Sequence, residues 1–341
     1  MRLTFLGTSA GTPTRQRNVT SQALEFDQGQ IWLLDCGEGT QHQALRLGLK
    51  TARIERILIT HLHGDHCLGL PGLLAHIGIS GRIAPVEVIG PPGLNELVTT
   101  INRLTHAILP FPLKLMELPQ VGADLPLQGD WRVQARALVH RIPCLGYVLT
   151  EENRPGRFHA GTADALGVPQ HLRGRLQRGE TVILSDGRRI ESCQVADPPR
   201  PGRRIVLLGD TSDPRGIADA AQGCDLLVCE ATYDANRQAK ALAWGHMTSA
   251  MTGAFAAAIG AKALVLTHFS SRYGDGHSQL TVHDLVREAR AACPGFPVWP
   301  ANDLNSLTIA ADGGIRAWEE PPTEDRGGIG AGIQGRSRQE A

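Results

Sequence analysis

Residues 61–66 read His-Leu-His-Gly-Asp-His and follow the apolar run Ile57-Leu58-Ile59. Imidazole and carboxylate are side chains that zinc takes as ligands, and a catalytic zinc site keeps one coordination position for water. A loop leaving a buried strand can direct His61 and His63 to one ion while Asp65 and His66 face a second. Such a run predicts a metal site rather than a solvated polar loop. Further ligands are expected at the ends of other strands. His140 closes WRVQARALVH, Asp210 closes RRIVLLGD, Glu230 closes CDLLVCE, and His268 follows AKALVLT. Taken singly, a polar residue at a strand end is more often a cap or a satisfied core group. As an ordered set with residues 61–66, the four become candidates for one metal centre.

The elements that would position them are visible as apolar runs of strand length at 2–6, 30–35, 53–59, 85–89, 131–139, 204–209, 224–229, 262–267 and 305–310. Helix-like segments lie between several of them, at 71–78, 93–103, 213–221, 246–259 and 280–291. Strands and helices mixed in this order predict an α/β layered domain, with hairpins in the strand-dense early part. No repeat of solenoid period is present. Residues 150–202 differ in texture, being rich in Gly, Pro and Arg and poor in long apolar runs. Between Arg154 and Arg204 ten arginines stand against five acids, which reads as an inserted or projecting arm. The stretch 320–341 is expected to be a disordered tail.

Composition narrows the partners only slightly. The 341 residues are 42% hydrophobic and 20% charged, with zero formal net charge, so no global field argues for nucleic acid. Only four of the 34 basic residues are lysines, a bias that a GC-rich genome explains. Seven cysteines without a C-x-x-C pair suit a reducing compartment and argue against both a disulfide framework and a zinc knuckle. The N-terminus lacks the long apolar segment of a signal peptide, and no stretch approaches the ~20 apolar residues of a membrane span. A cytoplasmic protein without membrane or DNA partners is expected.

The order HLHGDH, a single His, GDT and then THFSSRY resembles the metallo-β-lactamase superfamily, and more narrowly the ribonuclease Z family within it. FLGTSAGTPTRQRN (5–18), LLDCGEGTQHQ (33–43), GLPGLL (69–74), GPPGL (90–94), LGDT (208–211), CEATY (229–233), HMTSA (246–250) and THFSSRY (267–273) carry the resemblance, which covers roughly residues 1–315. It implies an αββα sandwich over 1–319, with a flexible RNA-binding arm at about 150–197. It implies two zinc ions per subunit, His61, His63 and His140 on one and Asp65, His66 and His268 on the other, with Asp210 bridging. Asp65 is then the general base and His246 the proton donor, with Glu230 holding the His246 tautomer. Arg272, Ser270 and Ser271 are candidates for phosphate contact. Arg15, Arg17 and Asn18 are expected near the substrate's 3′ end. Asp35 is read as packing support, Thr248 as a helix cap, and Cys36, Cys67 and Cys229 as buried fillers.

Two departures from the family pattern stand out. Gln170-His171 replaces the Gly-Pro pair usual in the arm, and Met247 replaces the serine of HST. The expected activity is endonucleolytic removal of the 3′ trailer from precursor tRNA after the discriminator nucleotide, by a short-form enzyme acting as a homodimer. A small-molecule phosphodiesterase or arylsulfatase-like hydrolase on the same fold is the alternative. The arm separates the two, because a small substrate has no use for it.

Overall fold

Two mixed sheets stack face to face in the computed structural model, which describes residues 1–274 and 279–319. The first sheet runs, edge to edge, Ile315–Glu319, Ser306–Ile309, Arg2–Gly7, Ser21–Glu25, Ile31–Leu34, Ile54–Leu58, Val86–Gly90 and Leu113–Glu117. The second runs Val298–Pro300, Leu264–Thr267, Leu226–Glu230, Arg204–Leu207, Cys144–Glu151, Trp131–Leu138 and Asp124–Gln128. The expected tail 320–341 lies outside the described residues.

Side chains alternate across a strand, so alternate residues of each strand serve two cores. Leu3, Phe5, Leu24, Trp32, Leu34 and Leu58 point between the sheets, where they meet Leu145, Tyr147, Leu149, Leu207, Val228 and Val265. Their neighbours Ala23, Leu33, Ile57 and Val88 point outward beneath helices that include Leu70–Ile79 and Leu94–Leu104. On the far side, Val148, Val206, Leu227 and Leu266 lie beneath helices Ser249–Ala258 and Val282–Ala292. With both faces covered, the strands read as continuous apolar runs rather than alternating ones. This is the αββα sandwich that the motif order implied.

The outer helices follow the same logic. Val282, Leu285, Val286 and Ala289 form the buried stripe of the last helix, at the spacing of one helical face. Thr281 and Asp284 close its first turn as a reciprocal capping box. Thr248 caps Ser249–Ala258 by accepting the Met251 amide. The helix expected over 246–259 therefore begins three residues later than expected, because the cap itself has extended backbone.

The segment between Glu151 and Arg204 folds on a small nucleus of its own, built from Ala163, Val168, Leu176, Val182, Leu184, Ile190 and Val195. Its stem is antiparallel, with Arg154 paired to Arg200 and Phe158 to Ala196. At its root the buried Arg203 guanidinium donates to both Glu151 oxygens at 2.8 Å and to Asp27 at 2.8 Å.

Candidate metal centre

The parallel strands Ile54–Leu58, Arg204–Leu207, Leu226–Glu230 and Leu264–Thr267 all send their C-terminal ends to one edge of the sandwich. The turn between Trp131–Leu138 and Cys144–Glu151 reaches the same edge, because that hairpin runs antiparallel to Arg204–Leu207. His61, His63, Asp65, His66, His140, Asp210 and His268 converge there from residues far apart in the chain. His63 Nδ1 lies 3.1 Å from His140 Nε2. His268 Nε2 lies 3.3 Å from His66 Nε2 and 3.4 Å from Asp65 Oδ2. Asp210 stands between the two groups, with Oδ2 3.7 Å from His61 Nε2 and Oδ1 3.5 Å from His66 Nε2. The ligand atoms group as His61/His63/His140 and Asp65/His66/His268, with Asp210 within reach of His61 and His66 and also of His246 and His268.

Four of the five imidazoles, those of His61, His66, His140 and His268, are aimed by a contact on the nitrogen turned away from the centre. Thr60 Oγ1 donates to Asp35 and lies 3.0 Å from His61 Nδ1. His140 Nδ1 donates to the Gly245 carbonyl at 2.7 Å, and Thr232 Oγ1 lies 3.0 Å from His268 Nδ1. Asp35 Oδ2 is 2.7 Å from His66 Nδ1, so the reading of Asp35 as packing support is corrected. It orients a ligand and also accepts the Thr60 amide at 2.7 Å. Such outer partners fix the tautomer and raise ligand basicity. Asp35 and His268 both have left-handed backbones, φ 57° and 55°, a strained conformation that turns the chain sharply at a strand end. Gly37 is needed nearby, since a Cβ there would sit 2.3 Å from the Asp65 carbonyl oxygen.

The donor set fits metal ions. His61 Nε2 is fully buried, has no hydrogen-bond partner among the described residues and faces the other imidazoles. Leaving such an atom unpaired in the interior is costly, and a cation would satisfy it. Burial, followed by the neighbouring His66 charge, pushes His61 well below its ordinary pKa. Burial also lowers His63 and His140. All three are thereby biased to the neutral form that binds metal. Burial would lower His66 as well, but the Asp210 and Asp35 carboxylates outweigh it and raise His66.

Beside this cluster, His246 Nδ1 lies 3.1 Å from Glu230 Oε1. Glu230 is no candidate ligand in this arrangement. Its carboxylate also accepts the Thr211 amide at 2.7 Å, the Met247 amide at 3.2 Å and the Thr232 hydroxyl. Burial lowers His246, but the Glu230 charge and hydrogen bond dominate and bring it to about 9. The Met247 side chain is buried in the core behind the site rather than turned into the cluster.

The other expected site residues divide. Ser270 lines the hollow over the cluster and accepts from Arg272 Nε at 3.0 Å. The Arg272 guanidinium also lies over the Tyr233 ring, and Ser271 is exposed on the same turn. Arg17 and Asn18 are held by the protein itself. Arg17 donates to Thr8, to the Ala301 carbonyl at 2.7 Å and to Asn302 at 2.8 Å. Asn18 bonds Asp303 and the Glu38 carbonyl. Arg15 is exposed. In the arm many arginines have exposed acidic partners: Arg173 with Asp164, Arg175 and Arg178 with Glu180, Arg188 with Asp186, and Arg189 with Glu191. Exposed pairs of this kind are weak and can exchange an acid for a phosphate.

Asp35, Thr60, Thr232 and the Gly245 carbonyl are the functional groups that sequence reading missed. Thr60 and Glu230's neighbour Thr232 lie within or next to the motifs, so adjacency was the available signal. Asp35→Ala is expected to weaken metal binding by about 10- to 100-fold. Competition with a chromophoric chelator measures this directly, and unchanged affinity would reduce Asp35 to a packing residue.

Comparison with known proteins finds relatives that match over most of the chain. The ribonuclease Z of Thermosynechococcus vestitus is 44% identical over 328 residues, covering 95% of this chain and 79% of that protein. The ribonuclease Z of Nostoc punctiforme is 42% identical, with 86% and 92% covered. The crystal structure of human tRNase Z, short form, superposes with a TM-score of 0.66 at 30% identity and covers 91% of this chain and 100% of that one. A family model described as anti-Pycsar protein Apyc1 matches residues 1–91. That match takes in the first strands and the 61–66 turn and spans well under half the chain.

Proposed function

Since the chain belongs to the ribonuclease Z family, we propose that it is the metal-dependent endoribonuclease that removes the 3′ trailer of precursor tRNA. The cut falls after the discriminator nucleotide and leaves a 3′ hydroxyl on the tRNA and a 5′ phosphate on the trailer. The observation that carries this reading is the convergence of a complete ligand set beside the His246–Glu230 pair, in an open hollow at the sheet edge.

Two zinc ions per subunit suit the donors. His61, His63 and His140 would hold one, Asp65, His66 and His268 the other, and Asp210 both. Bound there, they would make water nucleophilic near neutral pH and neutralise charge growing on the phosphoryl oxygens. The chain's own groups do the rest. The described hydrogen bonds of Asp65 fall on Oδ2, including one from the Gly11 amide at 2.8 Å, so Oδ1 is the oxygen that takes the attacking water's proton. As the bond from phosphorus to the 3′ oxygen breaks, His246 gives that oxygen a proton. Glu230 keeps the imidazole aimed throughout. Ser270, Ser271, Arg272 and Arg15 meet phosphates near the cut. Arg17 and Asn18 shape the loop that carries Arg15.

The arm, about 150–197, grips the body of the tRNA. Its root lies one strand length from the site: Cys144–Glu151 starts at the catalytic edge and ends at the arm, a rise of about 24 Å at ~3.4 Å per residue. Recognition there runs through phosphates and shape rather than base sequence. A homodimer would let the arm of one subunit hold RNA cut by the other. Ile79 and Leu104 end two packed helices and are exposed, as are Ile83 and Ile108 just beyond them; exposed apolar side chains of this kind favour an interface. No helix among the described residues is long and apolar enough to cross a membrane. A tRNA-processing activity would act in the cytoplasm.

Exhaustive chelation is expected to stop cleavage of a 3′-extended precursor, and two equivalents of zinc per chain to restore it. Metal content is counted in parallel by atomic emission. Full activity in the chelated protein would overturn the metal-dependent reading.

A further inference from the structure

Next to the ligand His140, on the side of the hollow where His246 stands, two residues have no assigned task. Arg141 is exposed, lines the hollow and takes part in no ion pair among the described residues. Its guanidinium lies over the Trp244 ring, 5.0 Å from the centroid. Trp244 itself is 50% exposed. The backbone brings the two together. His140 Nδ1 donates to the Gly245 carbonyl at 2.7 Å, and Gly245 has φ +79°, where a Cβ would lie 2.8 Å from that nitrogen. Residues 244–246 therefore sit directly on 140–141. A half-exposed indole carrying an unpaired guanidinium, at the rim of a cleavage site, is not explained by core packing.

We propose that the Arg141–Trp244 pair is the platform on which the discriminator base stacks while the phosphate next to it is cut. This rests on the ribonuclease reading above. Unpaired RNA bases are recognised by stacking on aromatic rings and guanidinium planes, and stacking tolerates any base because every base has a π-face. An enzyme that must process tRNAs with different discriminators needs that tolerance. The side of the cut follows from the chemistry. His246 protonates the leaving 3′ oxygen, which belongs to the discriminator nucleotide, and Trp244 precedes His246 by two residues. Gly11 and Ser270 lie beside Asp65 and His268 instead, so the trailer leaves on their side.

The test is single-turnover cleavage of a 3′-extended precursor tRNA carrying either a normal or an abasic discriminator. It compares the zinc-loaded wild type, Trp244→Ala and Trp244→Phe. Trp244→Ala should lower kcat/KM on the normal substrate by roughly 5- to 100-fold. The abasic substrate should cost the wild type a similar factor and the alanine variant little more, and Trp244→Phe should keep most of the activity. Losses that multiply would show that ring and base do not meet. Coupling to an abasic first trailer nucleotide instead would overturn the placement. Metal content and melting temperature check that the variant is folded. If Trp244→Ala is not, Arg141→Lys, which keeps the charge and loses the plane, carries the same comparison. A zinc-loaded wild type that leaves the normal precursor uncut removes the ribonuclease reading itself, an outcome distinct from multiplied losses.

Discussion

An Asp65→Ala enzyme is expected to cut precursor tRNA at least 10²- to 10⁴-fold more slowly than wild type, the range for loss of a positioned general base. That corresponds to about 3–5 kcal/mol of transition-state stabilisation. The effect is large because one carboxylate has three jobs. Its Oδ2 faces His66 and His268 at 3.5 and 3.4 Å, holds the Gly11 loop by that residue's amide, and leaves Oδ1 for a proton. Asp65→Asn separates these roles, because the amide oxygen still accepts from Gly11 while basicity is gone. Single-turnover rates with metal content measured alongside should show Asn nearly as slow as Ala but better loaded with metal. A variant that retained activity within about tenfold would remove Asp65 from the chemistry.

Deleting the arm should divide the two kinds of substrate. Arg154 and Arg200 are antiparallel partners, with both backbone bonds at 2.9 Å, so a short Gly-containing turn can join them without disturbing Glu151 and Arg203. The arm has its own apolar nucleus, and its removal takes no residue from the three cores of the sandwich. Linking two binding modules raises avidity by 10²–10⁴ over either alone. Precursor tRNA cleavage is accordingly expected to fall by about 100-fold or more, mostly in KM. Hydrolysis of bis(p-nitrophenyl) phosphate, too small to reach a root one strand length away, should change little. Equal losses on both substrates would mean that the arm supports the fold and not the RNA.

The residues that converge at the sheet edge were legible in the sequence because strand ends punctuate apolar runs, and metal-seeking residues placed there have few other reasons to follow one another in order. Their supports were less legible. Asp35 shows as a strand end, but nothing in the chain says that it faces an imidazole 31 positions later. The Gly245 carbonyl has no side-chain signature at all. Edge strands Leu113–Glu117 and Asp124–Gln128 escaped because LKLME and DLPLQ expose much of their length. Helix Thr40–Leu47 buries only Thr40, Gln43 and Ala44, too weak a stripe to read. The arm's nucleus is spread one residue at a time between Ala163 and Val195, so no run betrays it. Arg17 and Asn18 looked free because most of their partners, Ala301 to Asp303, lie at the other end of the chain.

Mapping both product ends after incubation with a 3′-extended precursor tRNA tests the proposed activity most directly. A single metal-dependent cut is expected immediately after the discriminator, with a 3′ hydroxyl upstream and a 5′ phosphate on the trailer. A zinc-loaded protein that hydrolyses a small diester yet leaves the precursor whole, or cuts it elsewhere, would contradict the assignment.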